Sequence, residues 1–135
     1  MIQRIMKIRD AAGWTMFIFG ILAFLFGLID LFRPEILLSV LGFEAIERTQ
    51  RAVSDYTIVF IVASSMASFN MGVYYMFAAL NDVKAFYRWT VPFRVVTFTV
   101  FTAIVMAGIA PKLFFGVGAW ELTGAIATGI ALNKK

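Results

Sequence analysis

The chain of 135 residues has no cysteine and no histidine, only three prolines, and charges on just 15% of its positions. Each shortage closes a class of chemistry. Without cysteine there is no disulfide, no thiolate nucleophile and no iron–sulfur ligation. Without histidine the usual zinc, copper and haem ligands are missing, and a Ser-His-Asp triad cannot be assembled. No Gly-rich phosphate loop, metal-ligand cluster or catalytic carboxylate pair is present, so no cofactor and no metal are expected, and the chain reads as non-enzymatic.

What is present is apolar surface. Hydrophobic residues make up 61% of the chain and phenylalanine alone contributes 15 positions. Soluble domains lie near 45–50% apolar and about 25% charged. A chain this short has too much surface to hide the excess from water. The solvent for that surface is lipid. The net charge of +4 is spread singly at the ends of apolar runs, which suits anionic headgroups as partners rather than nucleic acid.

Four runs have membrane length: residues 12–32, 56–80, 90–110 and 112–132. The expected fold is an all-α, integral membrane, antiparallel four-helix bundle forming one membrane domain over residues 1–135. Residues 1–10, with Arg4, Lys7 and Arg9, read as a basic lead-in to an uncleaved helix. Residues 34–43, PEILLSVLGF, are too short to span. Pro34 suits a first helical position, Gly42 a C-terminal cap, and Ile36, Leu37, Val40 and Leu41 share one face, so a short interfacial helix is expected. Glu44–Arg48 and Glu47–Arg51 at i,i+4 spacing predict a helix running on into the second span. Asp30, Glu35 and Asp55 read as solvated at interfaces.

Lys and Arg set the orientation. Arg4, Lys7, Arg9, Lys84, Arg88, Lys134 and Lys135 fall on one side, against Arg33, Arg48, Arg51 and Lys112 on the other. This places both termini in the cytoplasm of, as expected, a bacterial inner membrane. Gly13, Gly20 and Gly27 recur every seven residues, a packing seam for a neighbouring helix, and Gly124 belongs to a second small-residue face. Ser64, Ser68 and Gly72 form a further small-polar stripe. Asn70, sharing a face with Ala63, Ala67 and Tyr74, is expected to hydrogen-bond between helices or to line a polar cavity.

Arg94 and Glu121 are the charges inside spans. If Pro92 occupies the start of the third helix, Arg94 lies in its first turn and snorkels to the headgroups. A buried pair and a ligand contact are the alternatives. Glu121 lies eight or nine residues inside a helix that begins near Lys112 or Leu113. There it is protonated or paired, unless Gly116 and Gly118 delay the helix and leave it near the N-terminus. The axial offset between the two charges is about 10 Å on straight helices. Asn70, Tyr74, Arg94 and Glu121 are therefore the candidate binding group.

The layout resembles the small bacterial four-span proteins grouped as DoxX-like and BphX-like. The likeness lies in GWTMFIFGILAFLFGLIDLF leading into RPEILLSVLGF, a second span with N-M-G, a third with Arg94 and a fourth with Glu121. That resemblance implies the four-span fold and no specific activity. The scarcity of catalytic groups and the wealth of small-residue seams lead to a non-enzymatic accessory subunit, packed against membrane partners or against itself. The alternative is binding or transport of a small lipophilic or ionic substrate through the polar group.

Overall fold

The computed structural model describes residues 7–134. Residues 1–6 and Lys135 lie outside the described residues, and with them Arg4 and most of the basic lead-in. Five α-helices are described: α1 (Ala11–Phe32), α2 (Pro34–Val40), α3 (Thr57–Leu80), α4 (Lys84–Met106) and α5 (Phe115–Asn133). Single 3-10 turns at Arg48–Gln50 and Lys112–Phe114 punctuate the connections. Helices α1, α3 and α4, and α5 with its preceding 3-10 turn, are long and apolar enough to cross a membrane. The protein is a multi-pass, all-helical membrane bundle.

Its interior is divided unevenly. Helix α1 packs closely along α3, α4 packs along α5, and α1 joins the two pairs by lying against α5. Helices α3 and α4 are joined by a tight turn yet barely touch. The reason is written in glycine. A Cβ on Gly20 would stand 2.8 Å from the Gly72 carbonyl oxygen, and one on Gly27 would stand 2.7 Å from that of Ser65. A Cβ on Gly72 would meet the Phe24 nitrogen at 2.5 Å. Only hydrogen fits between these backbones, which is how helices gain van der Waals contact in a solvent as apolar as themselves. Ser68 adds a hydrogen bond from its hydroxyl to the Ala23 carbonyl oxygen at 2.9 Å. Gly13, the third member of the seven-residue repeat, instead faces the Tyr87 hydroxyl of α4.

The end at which α1 and α4 begin is pinned by polar contacts. Asp10 caps α1 by accepting from the Gly13 N–H at 2.8 Å and pairs with Lys84 at the head of α4. Asp82, at φ 55°, makes the left-handed corner between α3 and α4. Tyr87 is wholly buried and donates to the Ala78 carbonyl oxygen at 3.1 Å. At the opposite end Gly42, at φ 81°, closes α2, while the Phe43 N–H donates to the Leu38 carbonyl oxygen at 2.9 Å.

Three expectations are corrected. The third span is helical from Lys84 rather than from Thr90, and it ends at Met106, where Gly108 (φ 71°) turns the chain. Tyr87 is core, and the helix begins as soon as Asp82 has made its corner. Pro92 then lies inside the helix, on an exposed face, not at its start. Residues 44–55 do not continue the helix of the second span. Arg48 reaches back to Glu35 of α2 at 2.6 Å and Arg51 pairs with Asp55 at 2.7 Å, so the expected i,i+4 partners are otherwise engaged. Asp55 accepts from the Thr57 N–H at 2.9 Å and starts α3 there. Asp30 is buried, not solvated, because the chain doubles back at Arg33–Pro34 and lays α2 against α1.

Two predictions test this frame. Gly72→Ala is expected to cost about 1–3 kcal/mol of unfolding free energy in detergent, the usual range for overpacking. Gly116→Ala, where a Cβ would meet nothing within 4 Å, should be neutral or mildly stabilising. Equal effects would deny the close α1–α3 contact. The hydrogen bond from Lys84, and then that from the Gly13 N–H, hold the Asp10 carboxyl below its ordinary pKa. The stability this supplies is present above the ordinary carboxylate pKa, near pH 4, and is lost as pH falls through the lowered value. Asp10→Asn should therefore lose less thermal stability than the wild type between about pH 5 and about pH 3.

Candidate functional site

Because α3 and α4 stand apart, a cleft of about 640 Å³ opens between them, floored by α1 and α5. Its walls are Ala67, Ser68, Met71 and Tyr75 from α3 and Trp89, Thr90, Phe93, Arg94, Thr97 and Phe101 from α4. Phe19, Trp120 and Glu121 form much of the floor. Trp89 and Phe93 of the α4 wall are 64% and 71% exposed, so the cleft opens at the surface of the bundle.

Arg94 lies at the bottom. Starting α4 at Lys84 puts Arg94 ten residues in, about 15 Å along the axis. Glu121 lies twelve residues before Asn133, about 18 Å from the same end of the bundle. Both sit near the middle of a hydrocarbon core of about 30 Å, and the expected offset of about 10 Å shrinks to about 3 Å. The side chain of Arg94 is only 4% exposed and that of Glu121 25%. Snorkelling is thereby replaced by pairing: Arg94 Nε stands 3.2 Å from Glu121 Oε2. Glu121 also sits inside α5 rather than in a first turn, so Gly116 and Gly118 do not delay the helix.

Aromatic faces complete the seat. The guanidinium carbon lies 3.8 Å from the centre of the Phe19 ring and 5.3 Å from that of Tyr75. Phe19 stacks in turn on Trp120, with ring centres 4.3 Å apart. A desolvated cation over an aromatic face is worth about 2 kcal/mol or more. Gly124 makes the seat possible, since a Cβ there would fall on both Phe19 and Arg94 Nη1. The hydrogen-bonding of Arg94 is nevertheless incomplete. Its Nε and Nη1 are buried and have no hydrogen-bond partner among the described residues, the approach of Glu121 being too poorly aligned to count as one.

Asn70 and Tyr74 do not join this group. Both lie on the exposed face of α3 and neither lines the cleft. The tyrosine beside Arg94 is its neighbour Tyr75, which is buried. Sequence carried the signal: Tyr75 follows Ser68 and Gly72 at i+7 and i+3, hence on the stripe that faces α1. Phe19 and Trp120 had no comparable signal among so many aromatics.

The pair can be weighed directly. Arg94→Leu or Glu121→Leu alone should each cost about 3 kcal/mol of unfolding free energy, because the surviving charge is left at mid-membrane without its partner. The double variant should cost less than either single one. Strictly additive losses in a denaturant titration would show that the two groups do not interact.

No protein-family model, no curated protein and no solved structure matches the chain.

Proposed function

We propose that this protein is a non-enzymatic membrane binding protein that takes a small lipophile from the bilayer through the gap between α3 and α4. The observation that carries the reading is a guanidinium with unfilled donors at mid-membrane, on the floor of an aromatic cleft. Its volume falls within the few hundred to a thousand Å³ of small-molecule sites, and its make-up is theirs too: mostly apolar walls with a few placed polar groups. An ionisable group inside a span is costly to keep and marks a substrate path or site by default. In this reading both termini face the cytoplasm of a bacterial cell, as the distribution of Lys and Arg supports.

A second reading, an accessory subunit packed against a larger membrane complex or a second copy, draws on Asn70. Its amide sits on the exposed face of α3, inside a membrane span, where a partner helix would supply hydrogen bonds that lipid tails lack.

Native mass spectrometry after extraction in mild detergent separates the two. Binding predicts a small-molecule adduct on the wild-type protein that is absent from Ala67→Trp, where an added indole fills the cleft from an exposed wall position. A bare chain recovered with a different protein at fixed stoichiometry would overturn the binding reading in favour of the accessory one.

A further inference from the structure

We infer that the ligand is an uncharged lipophile with a compact hydrogen-bond-accepting oxygen, such as an ester or ketone on a single tail, and that the site discriminates against ionised fatty acids and phospholipids. This inference rests on the cleft being a binding site and specifies the chemistry that it takes.

Hydrogen-bond supply sets the first condition. The serine and threonine hydroxyls in the cleft are already donating: Ser68 to the Ala23 carbonyl oxygen, Thr90 to that of Tyr87, and Thr97 to that of Phe93. Arg94 Nε and Nη1 are left with donors that nothing among the described residues accepts from. A guanidinium has five N–H donors and no acceptor, so the missing partner is an acceptor. An oxygen brought to its edge adds a charge-assisted hydrogen bond without breaking one within the protein.

Charge sets the second. The ionisable groups around the guanidinium are Glu121 from α5, at 3.2 Å, and Tyr75 from α3. Helix α1 contributes Phe19 and Ala23 to the cleft, neither of them titratable. Arg94 thus has one counter-ion already. A carboxylate ligand would add a second negative charge with no cation to balance it, which a low-dielectric site strongly disfavours. A neutral carbonyl adds none.

Depth sets the third. Arg94 and Glu121 lie about 15–18 Å from the end of the bundle at which α4 begins. Phospholipid headgroups remain at the interfaces, outside a core of about 30 Å. A molecule whose only polar atom is a carbonyl or ether oxygen dissolves at that depth, and a phosphodiester does not.

Tryptophan quenching tests all three conditions, since Trp89 and Trp120 line the cleft while Trp14 lies on an exposed face of α1. Four probes are titrated into the detergent-solubilised full chain: a dibrominated fatty-acid methyl ester, a dibrominated hydrocarbon of the same length, the same dibrominated fatty acid kept ionised, and a dibrominated phosphatidylcholine. The ester should quench saturably, at least about tenfold tighter than the ionised acid, and the phospholipid should quench without saturation. Ala67→Trp should abolish saturable quenching by the ester. The paired Arg94→Leu/Glu121→Leu variant, which leaves no unpaired charge to unfold it, should lose the preference for ester over hydrocarbon of the same length. Saturable binding of the ionised acid as tight as that of the ester would overturn the charge condition while leaving the binding site intact. Saturable binding of the phospholipid would overturn the depth condition. If no probe saturates, the cleft is not a lipophile site and both proposals fall together.

Discussion

Lipid offers two helices no hydrophobic reason to associate, so the fold depends on how closely two backbones can come. Between α1 and α3 that distance is set by three glycines. Gly20 lies on the carbonyl of Gly72, Gly27 lies on the backbone around Ser65, and Gly72 lies on Phe24. Helix α3 is held to α1 in this way and makes little contact with α4, although only a tight turn separates the two helices in sequence. A four-span chain with evenly spread small residues would close such a gap, and the charges within it would have no access to the bilayer.

The second constraint is electrostatic. A guanidinium at mid-membrane is expensive to desolvate, and one carboxylate at 3.2 Å with imperfect alignment does not satisfy five N–H donors. The protein surrounds the cation with π-faces from Phe19 and Tyr75 and clears space for it with Gly124. Gly124 joins packing to chemistry in one position, since the hydrogen that lets α5 approach α1 also leaves room for Nη1. The Arg94–Glu121 pair is neutral in sum, yet rich in donors.

Legibility varied with how local the controlling interaction is. The apolar runs, the closure of α2 at Gly42 and the seam at Gly20, Gly27 and Gly72 were open to reading, because length, φ and side-chain volume are properties of the residue and its near neighbours. The start of α4 was not. Phe86, Tyr87 and Trp89 have the composition of an interface belt, yet Tyr87 is core, its hydroxyl donating to the Ala78 carbonyl oxygen of the preceding helix. That displaced the origin of the helix by six residues and carried Arg94 inward by about 9 Å. The polar residues of 44–55 likewise paired with α2 and Asp55 instead of along a helix of their own.

The amino-acid sequence alone determined the solvent, the number of crossings and the absence of thiol and imidazole chemistry, and it singled out the two charges that meet inside the bundle. Those follow from composition and from the period and length of apolar runs. Tertiary structure alone decided that Arg94 pairs rather than snorkels, that Tyr75 rather than Tyr74 stands beside it, and that Asn70 faces outward. It decided too that the pair lines an open cleft rather than a sealed core. Each of these depends on the rotation and depth of one helix against another. Close backbone contacts elsewhere in the bundle set both quantities, and spacing along a single helix does not record them.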